Sequence, residues 1–74
     1  MIYRIRNKTG YRMTFKINSG KLFVENGQQV KFDFIPPLSG IILNCRNPYE
    51  LTVLNETELL DGQTRVLDIG LKEY

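Results

Sequence analysis

The sequence predicts an all-β fold, a small antiparallel β-sandwich or partly closed barrel of about six or seven short strands. Tyr11 to Asn18 alternates apolar and polar residues without a fault, which suits a strand with one buried and one wet face. Turn residues recur along the chain at intervals of roughly ten, the spacing of short strands in sandwiches and barrels. No stretch of a dozen or so residues holds a helical apolar period.

The chain has 74 residues and reads as a single domain over 1–74. A domain this small buries only about 60% of the surface its unfolded chain exposes, so its core is thin. Small domains usually compensate with disulfides, a metal or self-association. One cysteine, Cys45, excludes an intrachain disulfide, and the absence of histidine removes the common zinc sets, which leaves self-association. The N-terminal residues alternate charged and apolar side chains, unlike a signal peptide, and no run approaches the roughly 18 apolar residues of a membrane span. A soluble cytoplasmic protein is the expectation, with no membrane partner, and the sequons at Asn7 and Asn55 are then chance matches.

Net charge is +2, unevenly spread. Up to Lys31, seven cations face the single anion Glu25, and the acidic residues concentrate in the second part. A basic first part is therefore joined to an acidic second part.

Met1 to Lys8 is the first predicted strand, with Tyr3 and Ile5 on one side and Ile2, Arg4 and Arg6 on the other. Lys8-Thr9-Gly10 is short enough to make a hairpin with Tyr11 to Asn18. That pairing would place Arg4, Arg6, Arg12 and Lys16 on one sheet face. Asn18-Ser19-Gly20 ends the second strand, and Lys21 to Glu25 forms a third. Asn26-Gly27 is the clearest hairpin signal in the chain, and Val30, Phe32 and Phe34 alternate after it in a fourth.

Pro36-Pro37 must end that strand, because proline donates no ladder hydrogen bond. Ile41 to Cys45 is apolar on both faces, as beside an interface or under cover on both sides. Asn47-Pro48 interrupts, and Tyr49, Leu51 and Val53 resume the alternation as the second arm of another hairpin. Thr57 to Leu60 fits either one helical turn or, by preference, the arm of a hairpin closed at Asp61-Gly62. Thr64 to Leu71 is the last strand. Gly70 interrupts it and signals a bulge or a close backbone contact.

The inventory points away from catalysis. Without histidine, neither a Ser/His/Asp nor a Cys/His nucleophile arrangement can form within the chain. Cys45 lies in an apolar run, where a small packed side chain is the commoner role, with Arg46 the one nearby cation. Glu56, Glu58 and Asp61 lack the ligand spacing of a calcium loop and the surroundings of a glycosidase pair. No enzyme activity, cofactor or metal is expected.

Two kinds of surface remain. Ile2, Phe23, Ile35, Ile42 and Leu54 are apolar residues left over once the alternation is satisfied, and they form the candidate apolar interface for a protein partner or self-association. A protein-protein interaction module of this kind suits an accessory, inhibitory or assembly component, such as part of a virus particle. The alternative is a nucleic-acid binder using Arg4, Arg6, Arg12 and Lys16. Tyr3, Tyr11, Phe15, Phe32 and Phe34 share the inward parity and are expected in the core, leaving Phe23, and less strongly Tyr49 and Tyr74, as exposed aromatic candidates.

Overall fold

The computed structural model describes residues 1–17, 20–46 and 48–72. Its strands are β1 (Ile2–Asn7), β2 (Met13–Ile17), β3 (Gly20–Val24), β4 (Gln29–Phe32), β5 (Ile41–Leu43), β6 (Leu51–Glu58) and β7 (Thr64–Leu71), with one 3₁₀ turn at Leu38–Gly40. They form a four-stranded sheet in the order β4-β1-β7-β6 and a three-stranded sheet in the order β3-β2-β5. The two sheets make a sandwich that is not closed into a barrel.

Alternation places the core as expected. Ile5, Leu67 and Ile69 of the larger sheet meet Met13, Phe15, Val24, Ile41 and Leu43 of the smaller one, all buried. Burying a side chain of this kind stabilises by about 1.5–3 kcal/mol. The aromatic rings of Phe15 and Phe32 join the two sheets at a centroid separation of 5.1 Å.

Pairing differs from the sequence expectation at three turns. β1 does not pair with β2: it lies antiparallel to β4 and parallel to β7. β2 instead takes β3 and β5 as antiparallel neighbours. The Lys8 to Arg12 segment is therefore a crossing between sheets, and so is Glu25 to Gln28, where Gln28 N–H donates to the Glu25 carbonyl at 3.0 Å. Asn44 to Glu50 likewise crosses from β5 to β6 in place of the expected hairpin; Asn47 within it, like the turn at Asn18-Ser19, lies outside the described residues. Turn residues reverse a chain equally well in an arch between sheets as in a hairpin within one.

The Asp61-Gly62 hairpin does form. β6 and β7 pair antiparallel, and Gly62 has the positive φ of 70° that glycine accommodates without strain. Asp61 caps the turn: one carboxylate oxygen accepts the N–H groups of Gln63 and Thr64, and the other accepts the Thr64 hydroxyl. The backbone donor of Gln63 first, then the Thr64 hydroxyl, hold the Asp61 carboxyl below the usual range. Leu51 to Val53 and the patch Thr57 to Leu60 thus belong to one eight-residue strand and its turn, while Tyr49 and Glu50 precede the strand. The register slips between Val53 and Asn55, a bulge on β6. Leu54 within it lies over Gly70, where an added Cβ would collide with Leu54 Cδ1 and Cγ. The close contact expected at Gly70 is this leucine.

The first two crossings lie side by side and are locked by Asn7. Its side chain faces the core and is fully buried. Nδ2 donates to the carbonyls of Tyr11 and Val24, each at 2.7 Å, while Oδ1 accepts the Thr9 N–H at 2.9 Å and the Thr9 hydroxyl at 2.7 Å. Both donors and both lone pairs of the amide are satisfied, which a buried polar group needs to avoid a desolvation cost. Asn26 Oδ1 also accepts the Gly10 N–H, and the Asn7 carbonyl accepts the Gly27 N–H.

Candidate binding surfaces

Three surfaces have enough exposed chemistry to bind something: the outer face of each sheet, and the opening between the sheets beside β6.

On the outer face of the four-stranded sheet, adjacent β1 and β7 bring Arg6 opposite Asp68. The guanidinium grips the carboxylate with two nitrogens, Nε to Oδ1 and, at 2.8 Å, Nη2 to Oδ2. The Asp68 side chain is 13% exposed against 43% for Arg6. Hydrogen bonding by Arg6 holds the Asp68 carboxyl below the usual carboxylate range, and the same contact raises the Arg6 pKa. Arg4 and Lys31 are cross-strand neighbours on this face, and Leu54 covers Gly70. Arg6 is thus satisfied within the chain, whereas Arg4 and Lys31 meet as like charges and Arg4 Nε is buried without a hydrogen-bond partner.

The outer face of the three-stranded sheet differs. Opposite Thr14 on β2 stand Phe23 of β3 and Ile42 of β5, both exposed, in one row across the sheet. Lys16 and Lys21 are directly opposite one another in the next row. In the row beyond Thr14, Arg12 pairs with Glu25 and its guanidinium lies over the Phe23 ring, 5.3 Å from the centroid.

The expected basic surface is therefore divided. Arg4 and Arg6 lie on one sheet, and Arg12 and Lys16 on the other, because β1 and β2 do not pair. Lys21 joins Lys16 in their place. That neighbour was unreadable without the β2–β3 register, although its outward parity matched that of Phe23.

The third surface is the open seam. Ile35, Pro36, Pro37 and Leu38 form one wall of an apolar groove of about 300 Å³, and Val53 of β6 forms the other. Its floor is the core itself, at Ile5, Ile41, Leu67 and Ile69. A more polar hollow lined by Tyr49, Glu50 and Leu51 adjoins it, sharing Leu38 and Ile41. From Val53 to Glu58 every residue of β6 is exposed, and Leu60 at the hairpin tip stands wholly in solvent. The edge of β5, by contrast, is guarded by Tyr49, whose hydroxyl accepts the Leu43 N–H at 3.1 Å.

All five candidate interface residues are exposed, yet they do not make one patch. Phe23 and Ile42 share the outer face of the smaller sheet, Ile2 has outward parity on β1, Leu54 lies over Gly70, and Ile35 walls the groove. Two expected core aromatics also moved outward: Tyr11 precedes β2 and is 42% exposed, and Phe34 follows β4 and is 50% exposed. Phe34 stays against Phe32, with ring centroids 5.4 Å apart. Tyr74 lies outside the described residues, and Cys45 is half-buried and packed against the core.

Among the described residues no group of three or more His, Cys, Asp or Glu side chains is placed to hold a metal, and no helix is long and apolar enough to cross a membrane. The fold and these surfaces define a small two-sheet β-sandwich domain. Comparison of the chain with protein-family models, curated proteins and solved structures finds no match to any of them.

Proposed function

We propose that the chain is a small non-enzymatic protein-interaction module, in which the groove beside β6 seats apolar side chains of an extended segment from a partner protein. The observation that carries this reading is a groove whose floor is the hydrophobic core and whose wall is an exposed edge strand. A groove of about 300 Å³ accepts one or two apolar side chains, while the edge of β6 offers backbone pairing to the same segment.

The surface area supports it. The molecule exposes 5322 Å², whereas a compact monomer of 8.6 kDa exposes about 4,700 Å². The sandwich is also flat, with extents of 39 × 33 × 19 Å. Bulging at Val53/Asn55 interrupts the edge and limits indiscriminate strand pairing, so the groove supplies the selectivity. Glu56 is held by Arg65 at 3.0 Å, and Glu58 of β6 favours a basic residue in the segment beyond its apolar anchors.

Selection from a displayed library of random peptides tests the proposal. Enriched peptides should alternate apolar residues, carry a Lys or Arg toward one end, and slow amide exchange in Leu51–Glu58. Val53→Lys should abolish their binding. Peptides that protect β3 or β4 and leave β6 unchanged, or a selection without enrichment, would remove it. Sedimentation of the wild type over a range of concentrations shows whether a second copy supplies the segment.

A further inference from the structure

We propose that the outer face of the three-stranded sheet is a platform for single-stranded nucleic acid, with Phe23 stacking against a base and Lys16 and Lys21 holding the backbone phosphates. This site lies on the opposite sheet from β6 and stands independently of the groove.

The arrangement contains an unsolved electrostatic problem. Lys16 and Lys21 face each other directly across β2 and β3, and like charges in that position destabilise a sheet. Among the described residues no carboxylate forms an ion pair with either. An anion from outside the chain relieves the repulsion. One row away, about 6.8 Å along the strands, Phe23 is 54% exposed. Arg12 lies over its ring and pairs with Glu25.

The required partner must be anionic and must also present flat apolar surface. An apolar protein face would bury the two lysines without counter-charges, which is costly. A duplex supplies phosphates but keeps its base faces stacked inside. Single-stranded DNA and RNA present both groups at once, and stacking platforms flanked by cations are a recurring way to bind them. The other sheet carries a like-charged pair as well, Arg4 opposite Lys31, but the aromatics of its strands, Tyr3 and Phe32, pack against the core, and Asp68 already occupies Arg6, so it has cations without a stacking ring.

Fluorescence anisotropy of the full chain with labelled oligo-dT and oligo-rU of about 15 nucleotides, and with a duplex of equal length, tests the proposal. At about 20 mM salt both single strands should bind with a Kd of roughly 10 to 100 µM, more tightly than the duplex. Two phosphate contacts give a slope of log K against log salt of about −1.4, and Lys16→Gln combined with Lys21→Gln should bring it close to zero. Phe23→Ala should weaken binding by about 5- to 100-fold. Phe23→Leu keeps the apolar bulk, guards against a misfolded alanine variant, and should weaken binding nearly as much. Arg4→Gln with Lys31→Gln, on the other sheet, should leave affinity within about twofold. Absence of binding at low salt, equal binding of the duplex with no effect of Phe23→Leu, an equal loss in the Arg4/Lys31 variant, or binding of anionic lipid vesicles but neither oligonucleotide would each overturn the proposal.

Discussion

Along the seam where β1 leads into β2 and β3 into β4, buried polar groups meet their partners in full; along the seam beside β6, apolar side chains stand against solvent. The first is held by Asn7, which ties two crossings to one another through four side-chain hydrogen bonds. The second has Ile35 and Val53 on either lip and the core at its base. In a domain too small for a deep core, specificity of fold is concentrated in one seam and surface for a partner is left in the other.

The largest effect should come from breaking the closed seam. Asn7→Asp removes both amide donors and sets a carboxylate against the carbonyls of Tyr11 and Val24. It should cost about 3–5 kcal/mol, read as a lower urea midpoint. An unchanged midpoint would mean that the backbone alone holds the crossings.

Gly70→Ala tests how the bulge is seated on the larger sheet. Its Cβ meets the Leu54 side chain, which is exposed enough to swing aside, so the expected cost is about 1–2 kcal/mol. Adding Leu54→Ala should recover most of that loss, and additive costs in the double-mutant cycle would show that the contact is not the cause.

A smaller effect belongs to the Arg6–Asp68 pair. Asp68 has its pKa lowered on folding, so its contribution is present above the unfolded carboxyl pKa of about 3.9 and is lost as pH falls through the folded value. Asp68→Asn should cost about 1 kcal/mol at pH 7, discounted for the exposure of Arg6, and almost nothing once the carboxyl is protonated. With no histidine in the chain, the wild-type urea midpoint should stay nearly level between about pH 5 and 7. A penalty for Asp68→Asn that persists at low pH would assign it to packing.

The smallest expected change in stability lies at the open seam. Val53→Lys removes an exposed side chain and should stay within about 0.5 kcal/mol of the wild type while blocking the groove. A large loss of stability would show that Val53 serves the core, and the contrast between the seams would then be false.

Much of this architecture was legible from parity alone. Met13, Phe15, Ile5, Leu67 and Ile69 read as inward residues because a strand alternates its faces, and they are buried. Parity does not name the neighbour of a strand. Lys8-Thr9-Gly10 and Asn26-Gly27 carry the chemistry of tight turns, yet each takes the chain to the other sheet, and the expected basic surface was divided with them. Asn7 carried no signal as a hub, since its partners lie in segments that meet only after both crossings form. Phe23 could be picked out by its outward parity. The groove could not, because its walls come from a proline loop and a strand distant in sequence.

The parallel pairing of β1 with β7 also sets an order of events in time. During synthesis the first strand emerges long before the strand beside it, and the centre of the larger sheet stays incomplete until Thr64–Leu71 has arrived. Closing so long a loop makes folding slow for the chain's size, in the range of milliseconds to seconds. Until β7 arrives, β1 has only β4 to pair with in its sheet, and the other side of its ladder stays open.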